Sequence, residues 1–144
     1  MGDRVTVYTD GAARGNPGPS ASGYMIMQGS KTVRIEMQYN GVKTNNYAEY
    51  HAIEMALGWC LDNLQSPSSA KISVFSDSEL VVRQLNGRYK TKVSKLRDLK
   101  RRVSEIASKF GSVAFENLPR EDRHISRVDH GLNMLLDETL RKGL

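Results

Sequence analysis

The chain has 144 residues, 39% of them hydrophobic, and a mean hydropathy of −0.49, which fits one domain (residues 1–144) around one core. No apolar run approaches the roughly 18 residues of a membrane span, and the start, Met1-Gly2-Asp3-Arg4, lacks an export leader, so the expectation is a cytoplasmic protein with no membrane partner. Net charge is +5, yet residues 83–102 alone carry +8, from nine basic side chains against Asp98, leaving −3 for the remainder; such a strip predicts a polyanionic partner.

Val5, Val7 and Thr9 alternate with Thr6, Tyr8 and Asp10, the period of a strand. Gly11 to Ser20 reads as a Gly/Pro turn region. Residues 21–28 and 32–39 read as strands joined by a hairpin at Gln28-Gly29-Ser30-Lys31. Asn45 or Asn46 is expected to cap a helix over 46–64, with Ile53, Ala56, Leu57, Cys60, Leu61 and Leu64 as its buried stripe. Cys60, the single cysteine, reads as a small core residue. Ile72 to Ser76 forms a fourth strand, and Ser78 caps a short helix to Leu85, stopped by Asn86-Gly87. Leu96, Leu99, Val103, Ile106 and Ala107 mark another helix. Val113 to Asn117 is a fifth strand, and Val128, Leu132, Leu135, Leu136 and Leu140 mark a C-terminal helix that Asp129 opens. The order β-β-β-α-β-α-α-β-α, without repeats or linkers, is that of an α/β protein.

Asp10 and Asp77 are placed at the C-terminal ends of the first and fourth strands. If those strands are parallel neighbours, both carboxylates emerge at one sheet edge, where open α/β sheets hold ligands, and the helix over 46–64 is the long crossover that parallel pairing needs. Glu49, in that helix's first turn, would lean over the same edge. Each acid has a structural alternative: a capping box for Asn46-x-x-Glu49, a helix cap for Asp77-Ser78, a turn for Asp10-Gly11. Two carboxylates about 4 Å apart repel by roughly 4 kcal/mol at an effective dielectric near 20, so gathering all four calls for a cation. Carboxylates without a His or Cys cluster favour magnesium or manganese over zinc. The glycines at 11, 15 and 18 make no dinucleotide fingerprint or P-loop.

Four segments resemble a known family. Tyr8-Thr9-Asp10-Gly11-Ala12-Ala13-Arg14-Gly15-Asn16-Pro17-Gly18, Thr44-Asn45-Asn46-Tyr47-Ala48-Glu49, Ser76-Asp77-Ser78-Glu79-Leu80-Val81-Val82, and the Asp129-x-x-x-Asn133 spacing are similar to the motifs of type 1 ribonuclease H in its compact archaeal/bacterial form. The resemblance runs from about Arg4 to Leu140. It implies a five-stranded mixed sheet with helices on both faces, and an endonuclease that cuts the RNA strand of RNA–DNA hybrids, leaving 5′-phosphate and 3′-hydroxyl ends. By the same resemblance, Asp10 would bridge two Mg2+ ions, with Mn2+ as substitute. Asp129 would help hold the ion beside the attacking water, and Glu49 and Asp77 the ion beside the leaving oxygen. Substrate contacts would come from Gly11, Ala13, Gly15, Asn16, Asn45, Ser78 and Glu79, with Asn16 and Thr44 near a DNA phosphate. Lys90, Lys92 and Lys95 would supply charge.

The sequence departs from the family pattern before the last acid. Relatives often read R-E-x-N-x-x-A-D; residues 120–129 form a longer segment without that asparagine. His124 falls there as a candidate for a histidine that some relatives carry in this loop and that is credited with aiding product release. Glu79 replaces a glutamine of some relatives. Competing readings are a catalytically silent hybrid-binding module, a DNA-directed nuclease or strand-transfer domain on the same fold, and additional activity on double-stranded RNA. The expected assembly is a monomer.

Overall fold

The computed structural model describes residues 3–87 and 94–143, without the side chains of Ser94 and Lys95. Five strands form one sheet: β1 (Arg4–Ala13), β2 (Gly18–Gln28), β3 (Lys31–Lys43), β4 (Lys71–Ser76) and β5 (Ser112–Asn117), in spatial order β3-β2-β1-β4-β5. β1, β2 and β3 pair antiparallel, while β4 runs parallel to β1, and β5 parallel to β4. The helices are α1 (Asn45–Asn63), α2 (Glu79–Leu85), α3 (Ser94–Ala107) and α4 (Arg123–Arg141). The predicted order is observed, and helices cover both faces.

Alternation along β1 sends Val5 and Val7 into a core with Ile53, Leu57 and Cys60 of α1 and Leu99 and Val103 of α3. Tyr8 and Ala12, on the opposite face, pack with Ala21 and Met25 of β2 against Val128, Leu132 and Leu136 of α4. Being covered on both faces explains why β2 is buried almost throughout. Burial pushes the Cys60 thiol up to about 12, so it stays protonated.

Several predicted boundaries shift. The turn expected over 11–20 shrinks to residues 14–17, because β1 and β2 keep pairing out to Ala13↔Ser20. The hairpin at Gly29-Ser30 is found, with Gln28 facing Lys31, but β3 extends to Lys43. Thr44, rather than Asn45 or Asn46, caps α1, its Oγ1 accepting the Tyr47 N–H at 3.1 Å. In α4, Asp122 is the cap, accepting the His124 and Ile125 N–H groups at 3.0 and 3.1 Å. Asp129 therefore lies well inside α4 instead of opening it. Leu140, expected in the core, is 38% exposed, and Thr139 takes the buried position; the apolar stripe drifts off the sheet at the last turn.

At the site-forming end, β1 and β4 stay paired only through Thr9↔Ser76. Beyond that point β1 continues for four residues, paired with β2 alone. Asn117 Nδ2 and the Leu118 N–H both donate to the Ser76 carbonyl at 3.0 Å, closing the end of β4. The sheet thus opens beside Asp10, which lies inside β1 rather than at its end, with Asp77 just past β4.

Leu132→Ala is expected to destabilise the protein by roughly 2–5 kcal/mol, while Leu140→Ala costs less than about 1 kcal/mol. Urea midpoints of the two variants check the order; equal losses would contradict the described packing of α4.

Candidate active site

Asp10, Glu49 and Asp77 meet at this opening, each offering a carboxylate oxygen within 4.8 Å of the others. Asp10 is 1% exposed and Glu49 6%. Glu49 comes from α1, and its approach depends on Gly11. A Cβ at Gly11 would collide with the backbone of Ala48 and Glu49, so only glycine lets the first turn of α1 sit this close to β1. The Gly11 N–H donates to Glu49 Oε1 and, at 2.9 Å, to Asp10 Oδ1. Glu49 therefore reaches across to β1, which removes the capping-box alternative. Ser22 Oγ donates to the Ala48 carbonyl at 2.6 Å, seating the same turn on β2.

Asp129 approaches from α4. Its carboxyl adjoins that of Asp10, and its Oδ1 accepts from Asn133 Nδ2 at 3.2 Å. It stands outside the tight three-carboxylate group.

Burial is the first cause that raises the Asp10 pKa, up to about 8, and the neighbouring Asp77 charge the second; the adjacent Glu49 carboxyl opposes them, and Asp129 adds to the rise. Burial also drives Glu49 well above the usual carboxylate range, with the Asp10 and Asp77 charges adding to it. Asp10 Oδ2 is buried with no hydrogen-bond partner, which is costly for a carboxylate oxygen. Asp77 is compensated instead by Arg120, whose Nε donates to Asp77 Oδ2 at 3.0 Å from a side chain 70% exposed.

An open cleft of about 410 Å3 leads from Glu49 and Asp77 past Gly11, Ala13, Asn45, Ser78 and Arg120. Several predicted substrate contacts line or border it, but many of their polar groups are engaged within the protein. The Ala13 N–H donates to Asn45 Oδ1 at 2.7 Å, leaving the Asn45 amide NH2 as the free end. Asn16 Oδ1 accepts the Asn45 N–H at 3.0 Å. Gly15, at φ +93°, supplies the left-handed residue of the β1–β2 turn. Thr44 and Ser78 serve as helix caps, Ser78 Oγ accepting the Val81 N–H at 3.3 Å. Glu79 is paired with Arg83 at 2.5 Å.

His124 corrects the sequence expectation. It lies in the first turn of α4, not in a loop, and its ring sits against Tyr8 with centroids 4.5 Å apart. The additional residues before Asp129 are taken up as helix, because Asp122 starts α4 early. Lys90 and Lys92 lie outside the described residues, as does the Lys95 side chain. Sequence reasoning missed two basic side chains that the site gathers. These are Arg120 on Asp77, and Arg14, which reaches α4 at Asn133 and Asp137. Both lay in quoted segments, but no local pattern says which distant acid an arginine will meet.

The RNase H family model matches residues 2–122. The chain belongs to the ribonuclease H family. It is similar to ribonuclease HI of Halobacterium salinarum, at 36% identity over 138 residues, covering 95% of this chain and 66% of that protein. A crystal structure of RNase H1 from the same halophile superposes with a TM-score of 0.85 at 35% identity, covering 94% of this chain and 98% of that one. The structure of LC11-RNase H1 in complex with an RNA/DNA hybrid matches with a TM-score of 0.86 at 34% identity, over 94% and 99% of the two chains. The Halobacterium relative is longer, so this chain spans slightly under two thirds of it. The family match ends at 122, inside the lengthened segment 120–129.

Ribonucleases H depend on divalent metal, and the residues present fit one: all-oxygen donors, clustered and buried, with one carboxylate oxygen left unpartnered. Among the described residues, no helix is long and apolar enough to cross a membrane.

Because the folded pKa of Asp10 lies above that of an unfolded aspartate, folding takes up a proton between the two values. In chelator, that contribution to stability is complete below about pH 4 and is lost as pH rises toward about 8; Glu49 acts in the same direction. Melting of the metal-free protein from pH 5 to pH 8 is expected to show a falling Tm, with Asp10→Asn flattening the slope and exceeding the wild type above pH 7. Parallel curves would contradict the assignment.

Proposed function

We propose that this chain is an endoribonuclease that hydrolyses the RNA strand of RNA–DNA hybrids with two divalent ions, Mg2+ or in its place Mn2+, leaving 5′-phosphate and 3′-hydroxyl ends. The observation that carries this reading is the group of Asp10, Glu49 and Asp77 within 4.8 Å, the first two buried, with Asp10 Oδ2 unpartnered. At such spacing the mutual repulsion is of order 4 kcal/mol per pair, which a purely structural site gains nothing by keeping.

Asp10, Glu49, Asp77 and Asp129 would hold the ions. Ions bound there would lower the pKa of a water nucleophile and neutralise charge on the leaving oxygen. The chain's own groups do the rest. Gly11 fixes Glu49 through its N–H, and the free amide NH2 of Asn45 and the hydroxyl of Ser78 border the cleft beside the carboxylates, where RNA 2′-hydroxyls would pass in the minor groove. Asn16 and Thr44, next to Lys43 and Tyr47, border a second concavity suited to a phosphate of the DNA strand. Arg120 pairs with Asp77 and offsets part of its charge. The basic segment 83–102 adds salt-dependent attraction. A relative solved with an RNA/DNA hybrid supports the choice of substrate.

Cleavage of labelled RNA–DNA, RNA–RNA, DNA–DNA and single-stranded RNA, in Mg2+ and in Mn2+, tests this. The expected outcome is cut RNA in the hybrid, abolished in Asp10→Asn, with any RNA–RNA cleavage much slower. Tight hybrid binding with no cleavage in either metal would establish the silent binding module instead.

A further inference from the structure

Arg14 bridges the β1–β2 turn to α4. Its Nη1 pairs with Asp137 Oδ1 at 2.6 Å, and its Nη2 lies 3.2 Å from the Asn133 carbonyl and 3.3 Å from Asn133 Oδ1. The other end of that amide, Nδ2, donates to Asp129 Oδ1 at 3.2 Å and to the Asp129 carbonyl at 2.9 Å. A guanidinium only donates, so it selects one orientation of the Asn133 amide. Oδ1 must face Arg14, and Nδ2 must then face Asp129. Reversed, the amide would aim its oxygen at the Asp129 carboxylate and lose both contacts.

We infer that Arg14 is a positioning residue for metal binding, acting through Asn133 to fix the Asp129 carboxylate. Asp129 needs such a device more than the other acids do. Glu49 is locked by Gly11, and Asp10 is built into a strand, whereas Asp129 projects from a helix on the far face of the sheet. The Asp137 pair fixes the guanidinium and, with it, the distance between the β1–β2 turn and α4 at the level of the site. Outer groups that orient metal ligands are commonly worth about 10-fold or more in metal affinity.

The inference rests on the metal-dependent reading of the site, and the test separates the two. Binding of Mn2+ alone is followed through the magnetic-resonance signal of the free ion, for wild type, Arg14→Gln, Asn133→Ala, and the double variant. Asp10→Asn is the control. Wild type is expected to bind and Asp10→Asn to lose most binding. Arg14→Gln should weaken the ion that involves Asp129 by about 10-fold, Asn133→Ala by a similar factor, and the double variant no further, since the two act in series. Arg14→Lys, which keeps the charge beside Asp137 but not the two-pronged fork, is expected to recover only part of the affinity and tests the orientation role without removing the ion pair. Unchanged Mn2+ affinity in Arg14→Gln, even with a lowered metal-free Tm, would overturn the inference and leave Arg14 a purely structural tie. Additive losses in the double variant would also overturn it. No Mn2+ binding by the wild type would instead refute the metal reading itself.

Discussion

The constraint on which the rest depends is the mutual repulsion of carboxylates held out of water. Asp10 and Glu49 are almost fully buried, Asp77 is beside them, and Asp129 adjoins Asp10. Such a group is stable only if protons, basic side chains or cations supply compensation. The raised pKa values of Asp10 and Glu49 and the Arg120 contact with Asp77 are two forms of that compensation. A divalent ion is a third, and it is the one an unpartnered Asp10 Oδ2 invites. Function and instability share one origin here, as sites with perturbed pKa values often show.

The fold serves this group by letting its sheet come apart at one place. β4 leaves β1 after Ser76, and β1 runs on with β2. The gap is the switch point of the sheet, and elements from both faces converge on it: α1 through Glu49, α4 through Asp129. Gly11 sets the first approach by offering no side chain to the backbone of Ala48 and Glu49. Arg14 and Asn133 set the second through polar contacts. One acid is thus positioned by the absence of atoms and another by a directed relay, which makes their tolerances to substitution different in kind.

Much of this was legible in the sequence, for physical reasons that differ by element. Period-two and helical stripes are local, so the five strands and four α-helices of the described residues are legible, while the short 3-10 turn at Pro67–Ser69 reads only as a loop, and Asp77 is placed correctly because a strand visibly ends before it. The convergence of Asp10 with Asp77 followed from parallel pairing and a crossover helix. What failed depended on distant partners. The cap of α1 fell to Thr44 because its hydroxyl, rather than the amide of Asn45, faces the helix N–H groups; Asn45 is occupied by Ala13, far away in sequence. The sequence places His124 in a loop because nothing local announces that Asp122 starts a helix. Leu140 fits the stripe in sequence, yet the helix outruns the sheet beneath it.

The most direct measurement is a calorimetric titration of Mg2+ into the protein at pH 7, in two buffers of different ionisation enthalpy, which counts the protons released as the ion binds. The carboxylate group as described holds protons at neutral pH that a cation must displace. Proton release at pH 7, diminishing as pH rises past about 8 and absent in Asp10→Asn, is the predicted result. Mg2+ binding with no proton release at any pH, or undiminished binding by Asp10→Asn, would contradict the account.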